Sequence, residues 1–195
     1  MVRTVPDCIC PEYRPSRRRV IKAGSLFVFG GLIPLQGCTL VPASDVETRL
    51  RSEVPAGPIN FNVAEGFARL NAERAKRNLV GFQMDPRLQQ AAQQHANRMG
   101  ATGKYGHDIG PGTDFKSRIF SVGFEESAGE NIGVGYGSID EAIEGWKNSP
   151  EHRRNMFKSR YTLAGLAYAF NTSGQNVRYT HFWVLIMGAR ERHFS

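Results

Sequence analysis

An α+β domain is what this sequence predicts, and three observations carry the prediction. Stretches with apolar residues three and four apart fill the first part of residues 61–190, one short extended stretch interrupts them, and two long aliphatic and aromatic runs close the chain. Helices, a strand, helices and then a hairpin give the α+β order.

The first helix opens at Asn62, an N-cap before Val63, Phe67 and Leu70 on one face, with Asn71, Glu73, Arg74 and Lys76 assigned to other faces. Asp85-Pro86 is a stronger start, a capping carboxylate followed by proline at the first helical position. From there Leu88, Ala91, Ala92, His95, Ala96 and Met99 fall at i, i+3, i+4, i+7, i+8 and i+11, a buried stripe that Gly100 and Gly103 end. His95 within that stripe reads as a hydrogen-bonded core histidine rather than a ligand.

Tyr105-Gly106-His107-Asp108 follows in a loop, with Asp108 the obvious neighbour of His107. A short helix over Asp114–Ser121 leads to Gly123-Phe124. Ala128–Val134 is extended, which sends Glu130 to one side and Asn131 to the other. Gly129, Gly133, Gly135 and Gly137 do not make a phosphate cradle, because no strand–loop–helix unit surrounds them and no Gly-Lys-Ser/Thr follows. They let backbone approach a cleft.

Ser138 caps a helix carrying Ile139, Ala142, Ile143 and Trp146 on one face and Asp140, Glu141 and Glu144 near its positive end. Ser149-Pro150-Glu151 restarts a helix with His152 at its third position, and Asn155 lies one residue short of a full i, i+4 spacing from it. Leu163–Phe170 and Val177–Met187 form the hairpin across Asn171-Thr172-Ser173-Gly174. Alternation there leaves open which face His181 joins.

The N-terminal residues read as targeting rather than structure. Ser16-Arg17-Arg18-Arg19-Val20-Ile21-Lys22 resembles a twin-arginine export motif with valine in place of phenylalanine. The 13 residues Ala23–Leu35 are too few to span a hydrocarbon core of roughly 30 Å at about 1.5 Å per residue. They end in Leu35-Gln36-Gly37-Cys38, which resembles a lipobox whose cysteine takes a lipid. Residues 1–37 are thus a signal peptide, residues 38–60 a proline-bearing tether, and residues 61–190 the domain. Cys8 and Cys10 leave with the signal, so the mature chain has no second thiol for Cys38 and folds on its core alone.

Charge limits the partners. Residues 1–37 hold six of the 25 Lys/Arg and two of the 18 Asp/Glu, so the net charge of +7 falls to +3 without them. No continuous basic stripe remains, and Arg153-Arg154 reads as a solvated helix edge, so nucleic acid is not an expected partner.

Gly129-Glu130-Asn131-Ile132 and Trp146-Lys147-Asn148-Ser149-Pro150-Glu151-His152-Arg153-Arg154-Asn155-Met156 resemble the two signatures of bacterial CAP-domain (SCP-like) proteins. The resemblance implies an α-β-α sandwich of the CAP type, with an antiparallel sheet between helices, and a cleft containing His107, Glu130, Asn131, Ser149, His152 and Asn155. It matches three positions of the family's cavity tetrad, His107, Glu130 and His152. Ser149 stands where eukaryotic members carry a second glutamate.

Three functions compete on these residues. A lipid-anchored binding module would use the cleft to engage an envelope component, a lipid or a protein. A divalent-metal hydrolase, acting as peptidase or esterase, would hold zinc or a similar cation on His107 and His152 and use Glu130 as the catalytic base. A structural site would use Glu130 to fix a histidine tautomer and Asn131 to satisfy backbone groups. The missing carboxylate and the absence of H-E-x-x-H favour binding over catalysis. The expected location is exported, with the domain held at a membrane of the envelope through Cys38.

Overall fold

A computed structural model describes residues 56–190. The signal peptide, Cys8, Cys10, the lipobox with Cys38 and most of the tether therefore lie outside the described residues. Helices α1 (Val63–Ala75), α2 (Pro86–Thr102), α3 (Phe115–Ser121), α4 (Ile139–Asn148) and α5 (Pro150–Met156) surround strands β1 (Gln83–Met84), β2 (Ala128–Val134), β3 (Tyr161–Phe170) and β4 (His181–Ala189). Among the described residues no helix is long and apolar enough to cross a membrane.

The sheet order is β1-β3-β4-β2. β4 pairs antiparallel with both β3 and β2, whereas the two-residue β1 pairs parallel with β3, so the sheet is not wholly antiparallel as expected. Odd and even residues of β4 serve different cores. Trp183, Leu185 and Met187 pack with Leu70, Ile143, Trp146 and Met156 from α1, α4 and α5. Phe182, Val184 and Ile186 pack with Leu88, Ala92, Met99 and Ile119 from α2 and α3. Two helical layers thus enclose one sheet.

The capping chemistry behaves as read. Asn62 accepts from the amides of Ala64 and Glu65, Asp85 from those of Arg87 and Leu88, and Ser138 from that of Glu141. Ser149 is the exception. It sits at the N-cap of α5 and makes no side-chain cap bond, because the same residue also ends α4 and its hydroxyl is turned inward.

Three further expectations change. Gly100 lies inside α2, where a Cβ would come within 2.6 Å of the Phe170 carbonyl oxygen, and Gly103 at φ +66 is the residue that ends the helix. The hairpin strands run 161–170 and 181–189, joined by ten residues, since Val177–Thr180 belong to the connection. Arg74 is fully buried rather than on a solvated face. It donates to the carbonyls of Val80, Met156 and Tyr161, tying α1 to the end of α5 and the start of β3. Its position four residues after Leu70 puts it on the buried face, where a guanidinium able to satisfy several carbonyls is tolerated.

The end of the tether also has a place. The Ile59 amide donates to the Tyr168 hydroxyl, and Phe61 meets Tyr168 and Trp183 edge-on. Tyr168 in turn bonds His181 Nδ1 at 2.8 Å, which puts His181 on the α1/α4 side of the sheet.

Candidate functional site

β2 is an edge strand, and the odd residues from Gly129 to Gly135 face β4 across the ladder, as the Gly135 amide to His181 carbonyl bond shows. Side chains alternate about this ladder. Glu130 enters the α2/α3 side with Ile186, and Asn131 the α4/α5 side with Leu185.

On its side Glu130 is 5% exposed and meets two cationic or polarised partners. His107 Nδ1 lies 2.8 Å from Oε1. An ionised carboxylate only accepts, so Nδ1 carries the proton and donates. Arg118 closes a two-pronged pair, Nη1 to Oε2 at 2.7 Å and Nη2 to Oε1 at 2.8 Å. The same guanidinium donates to the carbonyls of Thr113 and His107, so it braces the loop that carries His107. Burial pushes the Glu130 carboxyl up, but the His107 hydrogen bond and the charge and bonds of Arg118 outweigh it and hold the pKa at about 2.

His95 completes the cluster from α2. Its Nε2 lies 2.9 Å from the Gly106 carbonyl, to which it must donate, and burial pushes its pKa down. The ring is then neutral and its buried Nδ1 has no partner among the described residues. The reading of His95 as a core histidine stands.

Asn131, fully buried, donates from Nδ2 to the carbonyl of His152 at 2.9 Å and accepts from Asn155 Nδ2 at 3.1 Å. Asn155 also reaches the outward carbonyl of Glu130 at 3.4 Å. The His152 carbonyl and the Asn155 side chain therefore dock α5 on the strand edge. His152 is 8% exposed, and its imidazole makes no hydrogen bond with a described residue. Close by in sequence, Ser149 Oγ and Trp146 Nε1 are buried without partners among the described residues.

Each expected site residue thus has a place. His107 and Glu130 meet directly, and on the other side of β2 Asn131 binds Asn155 and the backbone carbonyl of His152. Asp108 is not the partner of His107: its Oδ1 accepts from the Gly110 amide and the Thr113 hydroxyl, shaping its own loop. Glu151 pairs with Arg154 at the surface and stays outside the site. Arg118 is the residue that sequence reading misses. The signal for it is indirect: a carboxylate pointing inward from a strand needs a buried cation, and arginine is the side chain that grips both oxygens.

With His107 and His152 alone, the expected donor set is one protein ligand short of a catalytic zinc site. Catalytic zinc takes three protein ligands. Among the described residues no group of three or more His, Cys, Asp or Glu could hold a metal ion, whereas the His107 Nδ1–H bond to Glu130 is the kind of contact that orients a histidine to ligate through Nε2.

The sheet between two helical layers agrees with the family and fold that comparison finds. Residues 67–187 match the Cysteine-rich secretory protein family (CAP), and the chain belongs to that family. It is similar to the uncharacterised protein YkwD of Bacillus subtilis, 31% identical over 100 residues that make up 50% of this chain and 38% of YkwD. The chain thus spans well under half the length of that relative. Among solved structures it resembles an extracellular protein containing an SCP domain from Bacillus anthracis, with TM-score 0.59 and 22% identity over 74% of this chain and 50% of that one. It also resembles an outer surface protein of Borrelia burgdorferi, with TM-score 0.58 and 19% identity over 69% of this chain and 100% of that one. These likenesses establish the CAP α-β-α sandwich.

Proposed function

We propose that this chain is an exported, envelope-tethered CAP-domain binding module whose His107–Glu130–Arg118 centre is a fixed scaffold rather than a catalyst. The observation that carries this reading is the grip of Arg118 and His107 on Glu130. Both carboxylate oxygens are held by Arg118 and His107, and a pKa of about 2 leaves the group a very weak base at neutral pH. A water-activating base needs a pKa nearer the working pH. Held in this way, the centre fixes the His107 tautomer and leaves His107, with 21% of its side chain exposed, as the part a ligand meets.

Export is supported by the extracellular and outer-surface names of the two structural relatives and by the twin-arginine-like Arg17-Arg18 zone. Tethering follows from the lipobox reading of Leu35–Cys38, and mass spectrometry of membrane-fraction protein checks it by finding an N-terminal lipid-bearing Cys38.

The functional experiment compares Glu130→Gln with the parent in stability and in peptidase and esterase assays. A scaffold predicts a less stable variant and no hydrolysis that depends on Glu130. A variant as stable as the parent that loses a measurable hydrolysis would make the chain a hydrolase.

A further inference from the structure

The geometry points to a second interaction surface, at the end of α1 and around α5, that docks on anionic phospholipid headgroups. Its use in the cell rests on the envelope location proposed above, whereas the vesicle assay below does not. Arg153-Arg154, taken alone, looks like a solvated helix edge. The fold gathers more cations around it.

Arg74 is the organiser, since its three carbonyl bonds bring Val80, Met156 and Tyr161 to one place. Lys76 and Arg77 end α1 there, Arg77 lying 3.8 Å above the Phe157 ring. Lys147 reaches Glu73 at 3.0 Å, a carboxylate it shares with Lys76 and Arg77. Arg153 grips the Lys147 carbonyl, and Lys158 follows over the Tyr161 ring. Arg160 marks the border, because it bonds Ser127, where Glu125 and Glu126 begin an acidic edge.

Of 16 Lys/Arg and 12 Asp/Glu in residues 56–190, six and three lie in this patch, the acids being Glu73, Glu144 and Glu151. That leaves ten and nine over everything else. Three quarters of the domain's net positive charge therefore sits on one surface.

An exposed apolar residue is tied to this region through Arg74, whose Nε donates to the Val80 carbonyl. Val80 is 69% exposed in the loop after α1, which turns through Asn78 at φ 55. Cations beside an exposed aliphatic side chain match a bilayer interface, where each basic residue near an anionic surface strengthens binding about fivefold and an apolar residue inserts below the headgroups. A soluble polyanion would use the charge and ignore the valine.

The test is cosedimentation of the full chain carrying Cys38→Ser with phosphatidylglycerol-rich and with pure phosphatidylcholine vesicles. One variant replaces Lys76, Arg153 and Arg154 by glutamine, and a control replaces Arg98, Lys104 and Lys116, exposed cations of α2, the loop after it and α3. All keep the same N-terminal residues, whose contribution cancels in the ratio. The patch variant should partition onto anionic vesicles on the order of a hundredfold less than the parent, with the control within a few-fold of it. Equal loss in both, or none in the patch variant, would overturn the proposal. Val80→Ser should weaken partition as well, and an unchanged value would make the surface a polyanion site and overturn bilayer docking.

Discussion

Glu130 and Asn131 are neighbours on one strand, yet the two environments they enter are built on opposite terms. The Glu130 side is ionic: a carboxylate, a guanidinium and His107 satisfy one another, with His95 neutral beside them. The Asn131 side is neutral, an amide network that holds the α5 backbone, with Ser149 Oγ and Trp146 Nε1 left unpartnered among the described residues. An ionic cluster of this kind resists rearrangement because each partner removed strands a buried charge. A neutral network with spare donors is cheaper to perturb. The two sides can therefore be separated experimentally by the size of the response.

The largest response belongs to Arg118. Arg118→Met keeps length but leaves Glu130 buried beside a histidine that alone cannot replace a two-pronged cation. We expect a loss of about 3–5 kcal/mol in denaturant unfolding. A loss below about 1 kcal/mol would mean that water reaches Glu130 and that the ionic side is not closed.

Acid should reveal the same cluster without mutation. The folded pKa of Glu130, about 2, lies below its ordinary 4.5, so its contribution is fully present above about pH 4.5 and is lost as pH falls toward about 2. A depression of that size corresponds to about 3 kcal/mol. Glu130→Gln should be less stable than the parent at neutral pH, and the gap should close across that window. A gap that stays constant would place the acid sensitivity in other carboxylates.

How much of this is legible in the sequence differs between the two sides. The alternation of Glu130 and Asn131 and the core role of His95 follow from local periodicity, whereas adjacency in sequence points His107 to Asp108 and misses its bond to Glu130. Arg118 is missed as well, because its partner is twelve residues away across a turn and its own helix is a seven-residue piece with little pattern. Arg74 misleads for a related reason: its charge suggests solvent, whereas its position on the Phe67–Leu70 face puts it inside. β1 escapes notice because two residues carry no period, and its pairing with β3 is set by the tertiary fold. Local rules locate the caps; long-range pairs emerge only in the folded chain.

On the neutral side the intermediate response belongs to Asn131. Asn131→Leu fills the same space but removes the donor to the His152 carbonyl and the acceptor for Asn155. The expected cost is about 1–3 kcal/mol, read in denaturant unfolding. Hydrogen exchange should rise in α5 while α3 stays as in the parent, since α3 is anchored through Arg118. Equal loosening of both helices would show that the two sides of β2 act as one unit.

The smallest effect should come from Ser149, and it is informative because rule and geometry disagree there. An N-cap serine replaced by alanine ordinarily costs about 1 kcal/mol, since its hydroxyl satisfies an amide of the first turn. Asn62 makes two such bonds at the start of α1, at 2.9 and 3.3 Å, and Asn62→Ala should lose about that amount. Ser149 makes none and buries an oxygen unpartnered among the described residues. Removing that oxygen takes away an unsatisfied group and breaks no bond to a described residue, so Ser149→Ala should change stability by less than about 0.5 kcal/mol, or raise it slightly. Paired thermal melts of the two variants decide the matter. If Ser149→Ala costs as much as Asn62→Ala, the hydroxyl has a partner in solution, and the neutral side of β2 is as fully satisfied as the ionic one.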